Sequence, residues 1–172
     1  VSGVLMFVFG NYEIAGTELA GQYDLFVSYC DKGDTVNAER LGTDLLNNSK
    51  YRSVMTDKTT AEILRYMGDC YFDEGDFANA VENYKSAYEI ADDDNAEVCL
   101  RDYAIALVKG KRFSEAQSVI SMAEEKFPNS SVNKLLQAEI EYGNGNLENS
   151  LNYANECLNT EPNGDNAFAA FL

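Results

Sequence analysis

The residues able to do chemistry are few, and none is spaced for catalysis. Histidine is absent from all 172 residues, which removes the commonest general base and the commonest metal ligand together. Cys30, Cys70, Cys99 and Cys157 lie far apart and form no Cys-x-x-Cys pair. Neither a zinc site nor a redox motif therefore has support in the sequence, and all four read as small apolar packing residues. Serine and tyrosine are plentiful, yet none has a placed base to activate it. The run Asp92-Asp93-Asp94-Asn95 lacks the glycine turn and spaced ligands of an EF-hand and reads as an exposed acidic loop. Gly143-Asn144-Gly145 has neither a preceding strand nor the Lys and Ser/Thr of a phosphate loop. The expectation is a chain with no catalytic residue, no metal and no cofactor, hence not an enzyme.

Charge narrows the partners. Thirteen Lys and Arg against 29 Asp and Glu leave a net charge of −16. That argues against nucleic acid, whose phosphates demand clustered basic side chains, and against an anionic membrane surface. With 45% hydrophobic and 24% charged residues, the composition is that of a soluble globular chain long enough to bury a core. Two prolines, Pro128 and Pro162, favour long helices.

The organising feature is a turn that occurs four times. Asp73-Glu74-Gly75-Asp76-Phe77-Ala78-Asn79-Ala80 has counterparts at Asp31 to Ala38, Lys109 to Ala116 and Gly143 to Ser150. Each copy carries glycine, which tolerates the positive backbone angle that ends a helix, and short polar residues that cap the next one. Each also places Ala or Ser where two helices must approach closely. Apolar residues recur at helical spacing on both sides: Leu19, Tyr23, Phe26 and Tyr29 before the first turn, Ala38, Leu41, Leu45 and Leu46 after it. The polar stretch 47–60 is the longest break, ended by a capping box of Thr59 with Glu62. Asp94 with Glu97 resembles a second box.

Val1 to Phe9 carry no charge. Nine residues cannot span a bilayer, which needs about 20, so they are either the outer end of a membrane helix or an ordinary buried helix or strand. Gly10-Asn11 is expected to break the run, with a helix from Tyr12 to about Lys32. Apolar sequence at both ends suggests a piece of a longer protein.

Set in one frame, Leu64, Met67, Gly68, Tyr71, Phe77, Ala80, Tyr84 and Ala87 define a unit of 34 residues, 61–94. The frame returns at 97–130, 131–164 and, upstream, 19–52. Inserts fall at 53–60 and 95–96, and a partial helix occupies 165–172. This period and pattern resemble the tetratricopeptide repeat. Ala104, Ala138, Pro128 and Pro162 keep the pattern, whereas Phe26 replaces a small residue, and Lys134, Gln137 and Glu141 fall at positions usually apolar. The resemblance implies an all-α, right-handed solenoid of stacked antiparallel helix hairpins over 19–172, with 1–18 as a separate apolar N-terminal segment.

In that family the first helix of each unit lines a concave groove. The corresponding residues are Tyr23 and Val27; Arg65, Asp69 and Phe72; Val98, Arg101, Ile105 and Val108; and Leu135, Glu139 and Tyr142. So mixed but apolar a wall implies a contact surface for an amphipathic helix or extended peptide of a protein partner, unless the chain's own flank fills it. Arg65 and Arg101 share one place in the frame. They either fork onto an anionic group of the partner or pair locally with Glu62, Asp69 and Glu97. Chaperone-tail binding is disfavoured: the matching places hold Arg65, Asp69, Asp102, Val132 and Leu136, without the required Asn and with too few basic residues. The expected role is a non-catalytic protein- or peptide-binding scaffold. Its alternative is a spacer or self-assembly element, in the cytoplasm or as a membrane-tethered extracytoplasmic sensory domain.

Overall fold

The computed structural model describes residues 2–128 and 130–160, with side chains described over 12–128 and 130–159. Pro162 and the expected helix at 165–172 lie outside the described residues. Every regular element among those described is helical: α1 (Ser2–Asp31), α2 (Thr35–Asn47), α3 (Ser49–Arg52), α4 (Asp57–Asp73), α5 (Phe77–Ile90), α6 (Asp93–Lys109), α7 (Phe113–Lys126), α8 (Ser131–Gly143) and α9 (Leu147–Thr160). The chain divides into two compact units at Asp92/Asp93. In the first, hairpin α1–α2 stacks on hairpin α4–α5 through α2 and α4; in the second, α6–α7 stacks on α8–α9 through α7 and α8.

Four turns with the same hydrogen bonds make the hairpins. In each, the third residue takes a left-handed φ: Gly33 at 68°, Gly75 at 78°, Lys111 at 58° and Gly145 at 83°. The next backbone N–H reaches back five residues, Asp34 to Tyr29, Asp76 to Tyr71, Arg112 to Leu107 and Asn146 to Glu141, at 2.8–2.9 Å. These bonds satisfy helix-end carbonyls that would otherwise be orphaned. In the first two turns that same residue then caps the following helix. Asp34 and Asp76 accept from the backbone N–H of Asn37 and Asn79, at 3.4 and 3.2 Å. The third turn departs twice: its glycine, Gly110, comes one residue early, and Arg112 forks onto Glu115 at 2.7 Å in place of a cap.

Close packing follows from small residues after each turn. Ala38, Ala80 and Ala116 are fully buried, and Ser150 donates its hydroxyl to the Ala138 carbonyl at 2.9 Å. A second contact, between the eighth and twenty-fourth residues of a unit, interlocks by size. In α4–α5 the small partner comes first: a Cβ on Gly68 would sit 2.7 Å from the Tyr84 ring. In α1–α2 the sizes are exchanged. Phe26 fills the space, and a Cβ on Gly42 would sit 2.9 Å from its ring and 2.8 Å from Met67 Sδ. Phe26 is thus a compensated member of the repeat, fully buried among Leu19, Leu41, Leu45, Ile63 and Met67.

The polar departures in the last hairpin have partners. Lys134 pairs with Glu124 at 3.7 Å and Glu156 at 3.4 Å, and lies 5.5 Å from the Tyr153 ring centre. Glu141 accepts from Asn146 and Asn149 of the turn.

Several local expectations need correction. α1 runs through Gly10-Asn11 without a break; glycine inside a helix costs only about 1 kcal/mol, which the remaining turns absorb. The stretch 47–60 is not a plain loop: α3 lies within it, Val54 and Met55 pack on the core, and Lys50 pairs with Glu18 of α1. The cap of α4 is Thr56, which accepts from the Thr59 N–H, so the helix starts one turn before the Thr59–Glu62 pattern. Asp94 likewise lies inside the first turn of α6, and residues 95–96 extend that helix. Among the described residues no helix is long and apolar enough to cross a membrane.

Candidate functional site

Each unit holds a cleft at the same place in the repeat, where the turn of one hairpin faces the first helix of the next. In the first unit it encloses about 360 Å³ and is lined by Cys30, Asp31, Gly33 and Thr35 on one side, and by Tyr66, Asp69, Cys70, Asp73 and Glu74 on the other. In the second it encloses about 700 Å³, with Val108, Lys109, Lys111 and Phe113 facing Glu139, Tyr142 and Gly143. In the 34-residue frame, Cys30 corresponds to Val108, Asp31 to Lys109, Gly33 to Lys111, Thr35 to Phe113, Asp69 to Glu139 and Asp73 to Gly143.

The first cleft is acidic and tightly bonded. Arg65 pairs with Asp69 at 3.3 Å and lies 5.0 Å from the centre of the Tyr66 ring. Asp69 also accepts from the buried Tyr84 hydroxyl at 2.7 Å. Arg65 thus makes one of the local pairs its spacing allows. Tyr23 donates to Glu62 at 3.0 Å, and burial together with this bond pushes its phenol well above the usual range. Val27 packs on the core beside it. Phe72 stacks edge-on against Phe77 across the turn at 5.3 Å. Thr35 donates to Glu74 across the mouth. The thiols of Cys30 and Cys70 lie 3.7 Å apart, a pairing that no local sequence pattern announces because 40 residues separate them.

The second cleft is apolar with a cationic edge. Tyr142 is 67% exposed, large for an aromatic side chain in a cleft. Lys109 reaches Glu139 at 3.1 Å, which ties α6 to α8, and Lys111 stands exposed on the turn. A Cβ on Gly143 would come within 2.3 Å of the Phe113 ring, so glycine there gives the ring its seat. Val108, 5% exposed, lines the cleft, whereas Leu135, 8% exposed, is buried and not among its lining residues. Val98 and Ile105 are half-buried on α6. Arg101 forks onto Asp102 at 3.0 and 3.1 Å, the neighbouring carboxylate and not Glu97. Arg65 and Arg101 belong to different units, each with its own local partner.

The geometry supplies docking chemistry: apolar walls, an exposed tyrosine and lysines. Among the described residues no group of three or more Cys, Asp or Glu is arranged to hold a metal ion.

Comparison with known proteins agrees with this architecture. A family model described as tetratricopeptide repeat matches residues 71–140, from the end of α4 to most of α8. A solved structure described as "MamA RS-1 ArsTM double mutant" is similar in fold, with a TM-score of 0.61 at 17% identity over 82% of this chain and 76% of that one. No curated protein matches. Tetratricopeptide repeats are in general protein-interaction scaffolds, and this chain resembles them over residues 71–140, within a run of four like helix–turn–helix connections.

Proposed function

We propose that the chain is a non-catalytic scaffold that holds a short segment of another protein against the first helices of its hairpins, with the α6–α8 cleft as the main seat. The observation that carries this is Tyr142, two-thirds exposed beside Phe113 and Val108 in a cleft edged by Lys109 and Lys111. An apolar recess next to lysines, in a chain of net charge −16, fits an extended or helical segment bearing an apolar side chain close to a carboxylate. Exposed aromatics of this kind are frequent anchors of binding energy.

Selection of peptides from a random displayed library against the whole chain tests the reading. Selected peptides are expected to carry an apolar residue near Asp or Glu, and Tyr142→Ala should weaken them by about tenfold or more, as loss of an anchor does. Because Tyr142 is largely exposed, the variant keeps its helical content. Peptides that bind the variant as well as the parent would remove the cleft from the account.

A second reading, an element of end-to-end assembly, is favoured by one feature. Leu147, Leu151 and Leu158 form an exposed stripe along α9, at 64%, 62% and 40% exposure. Light scattering over a concentration series decides it. Growth in mass that Leu151→Glu abolishes would raise this reading, and a constant monomer mass would discard it.

A further inference from the structure

We propose that Cys30 and Cys70 form an intramolecular disulfide on exposure to a small neutral peroxide, joining the end of α1 covalently to α4. The two residues lie 40 positions apart in the chain, yet their Sγ atoms are 3.7 Å apart, with Cys70 donating to Cys30. Both line the acidic cleft of the first unit and are reached from it. The remaining gap to a bond of about 2.05 Å is on the scale of side-chain rotation within one staggered well. None of the four cysteines is in a disulfide, and Cys99 and Cys157 are each only 2% exposed, whereas Cys30 is half-buried at the cleft.

The surroundings select the oxidant. Asp31, Asp69, Asp73 and Glu74 line the same cleft, with no lysine or arginine among its lining residues. They repel anionic disulfides and leave hydrogen peroxide as the class of reagent that can enter. They also disfavour a thiolate, an effect opposed by the bond between the thiols: Cys70 ionises below its usual range because Cys30 can then donate to it. The same bond, followed by burial, pushes Cys30 upward.

The chemistry balances in two steps. The thiolate of one cysteine of the pair attacks one peroxide oxygen, the O–O bond breaks, and hydroxide leaves and takes up the proton that thiol released. That cysteine is then a sulfenic acid. The sulfur of the other cysteine attacks the sulfenic sulfur, the S–O bond breaks, and water departs with the second thiol's proton. Two thiols have lost two hydrogens and two electrons, and one peroxide has become two waters. The product closes a loop across hairpins α1–α2 and α4–α5, which restricts the unfolded chain.

The test treats the reduced whole chain with hydrogen peroxide, quenches, alkylates under denaturing conditions and reads intact mass and peptide maps. The expected result is a mass lower by two hydrogens, a Cys30–Cys70 linked peptide, Cys99 and Cys157 still open to alkylation, and a Tm several degrees above that of the reduced chain. Cys30→Ser and Cys70→Ser should each abolish the link, while Cys99→Ser keeps it. Circular dichroism checks that each variant folds, and Cys30→Ser, at the more exposed position, decides alone if Cys70→Ser does not fold. Oxygen addition without a link, a link through Cys99 or Cys157, or a link between two chains would overturn the assignment.

Discussion

The two clefts are built on one plan and lined with opposite chemistry. Where the first unit has Asp31, Gly33, Thr35 and Asp73, the second has Lys109, Lys111, Phe113 and Gly143. The scaffold beneath them is nearly the same: a left-handed third turn residue, a backbone bond five residues back, and a small buried residue after the turn. Repetition thus fixes where a cleft forms, and the few side chains that do not carry packing give it its charge and polarity. The acidic cleft spends its polar groups on internal bonds, Arg65 to Asp69, Tyr84 to Asp69 and Thr35 to Glu74. The lysine-edged cleft leaves an aromatic ring and Lys111 toward solvent.

The largest test of the shared scaffold is Phe26→Ala. Removing a fully buried ring whose space Gly42 cannot fill should cost about 3–5 kcal/mol, read by denaturant unfolding. A loss below about 1 kcal/mol would mean that the size exchange between Phe26 and Gly42 does not carry the first hairpin.

Equal packing in the two units is tested next. Ala80→Leu and Ala116→Leu both overfill a fully buried contact, and each should cost about 1–3 kcal/mol. A clear effect in one and none in the other would break the equivalence of the hairpins.

The turns give a reciprocal pair. Lys111 holds a φ of 58° that glycine takes freely, so Lys111→Gly should stabilise by about 1 kcal/mol and Gly33→Lys should destabilise by about 1–2 kcal/mol. Opposite signs sharpen the comparison; the same sign in both would refute it.

The smallest effect concerns pH and belongs to the first unit alone. Tyr71 donates to Glu39 at 2.6 Å, and burial with this bond pushes its phenol up to about 12. The neutral form is the one favoured in the folded chain. Its contribution is therefore complete below the unfolded value of about 10 and lost as pH rises toward the folded one. Tyr71→Phe should flatten the loss of stability across that window, measured beside a spectrophotometric titration of the phenol. A slope identical to the parent's would tell against the bond.

Much of the architecture was legible because turns obey local chemistry. Gly33, Gly75 and Gly145 stand in register with polar caps and with Ala or Ser five positions on, and these three copies, with the related turn at Lys109 to Ala116, read as stacked helix hairpins. Gly110 misleads by one residue, because hydrogen bonding across the turn, not glycine, selects which residue turns left-handed. The start of α4 was misplaced because Thr56 and Thr59 are equally good caps, and only tertiary packing of Val54 and Met55 decides between them. Phe26 looked like a break in the pattern; its compensation by Gly42 shows only when the eighth and twenty-fourth positions are read as a pair. The thiol pair was not legible, since the insert at 53–60 separates Cys30 and Cys70 by more than the repeat length.

Hydrogen–deuterium exchange of the whole chain, with and without a peptide selected from a displayed library, tests the central claim most directly. The account predicts new protection concentrated at Val108 to Phe113 and Glu139 to Gly143, on both walls of the lysine-edged cleft. Protection confined to α9, or absent from both walls while the peptide is bound, would contradict it.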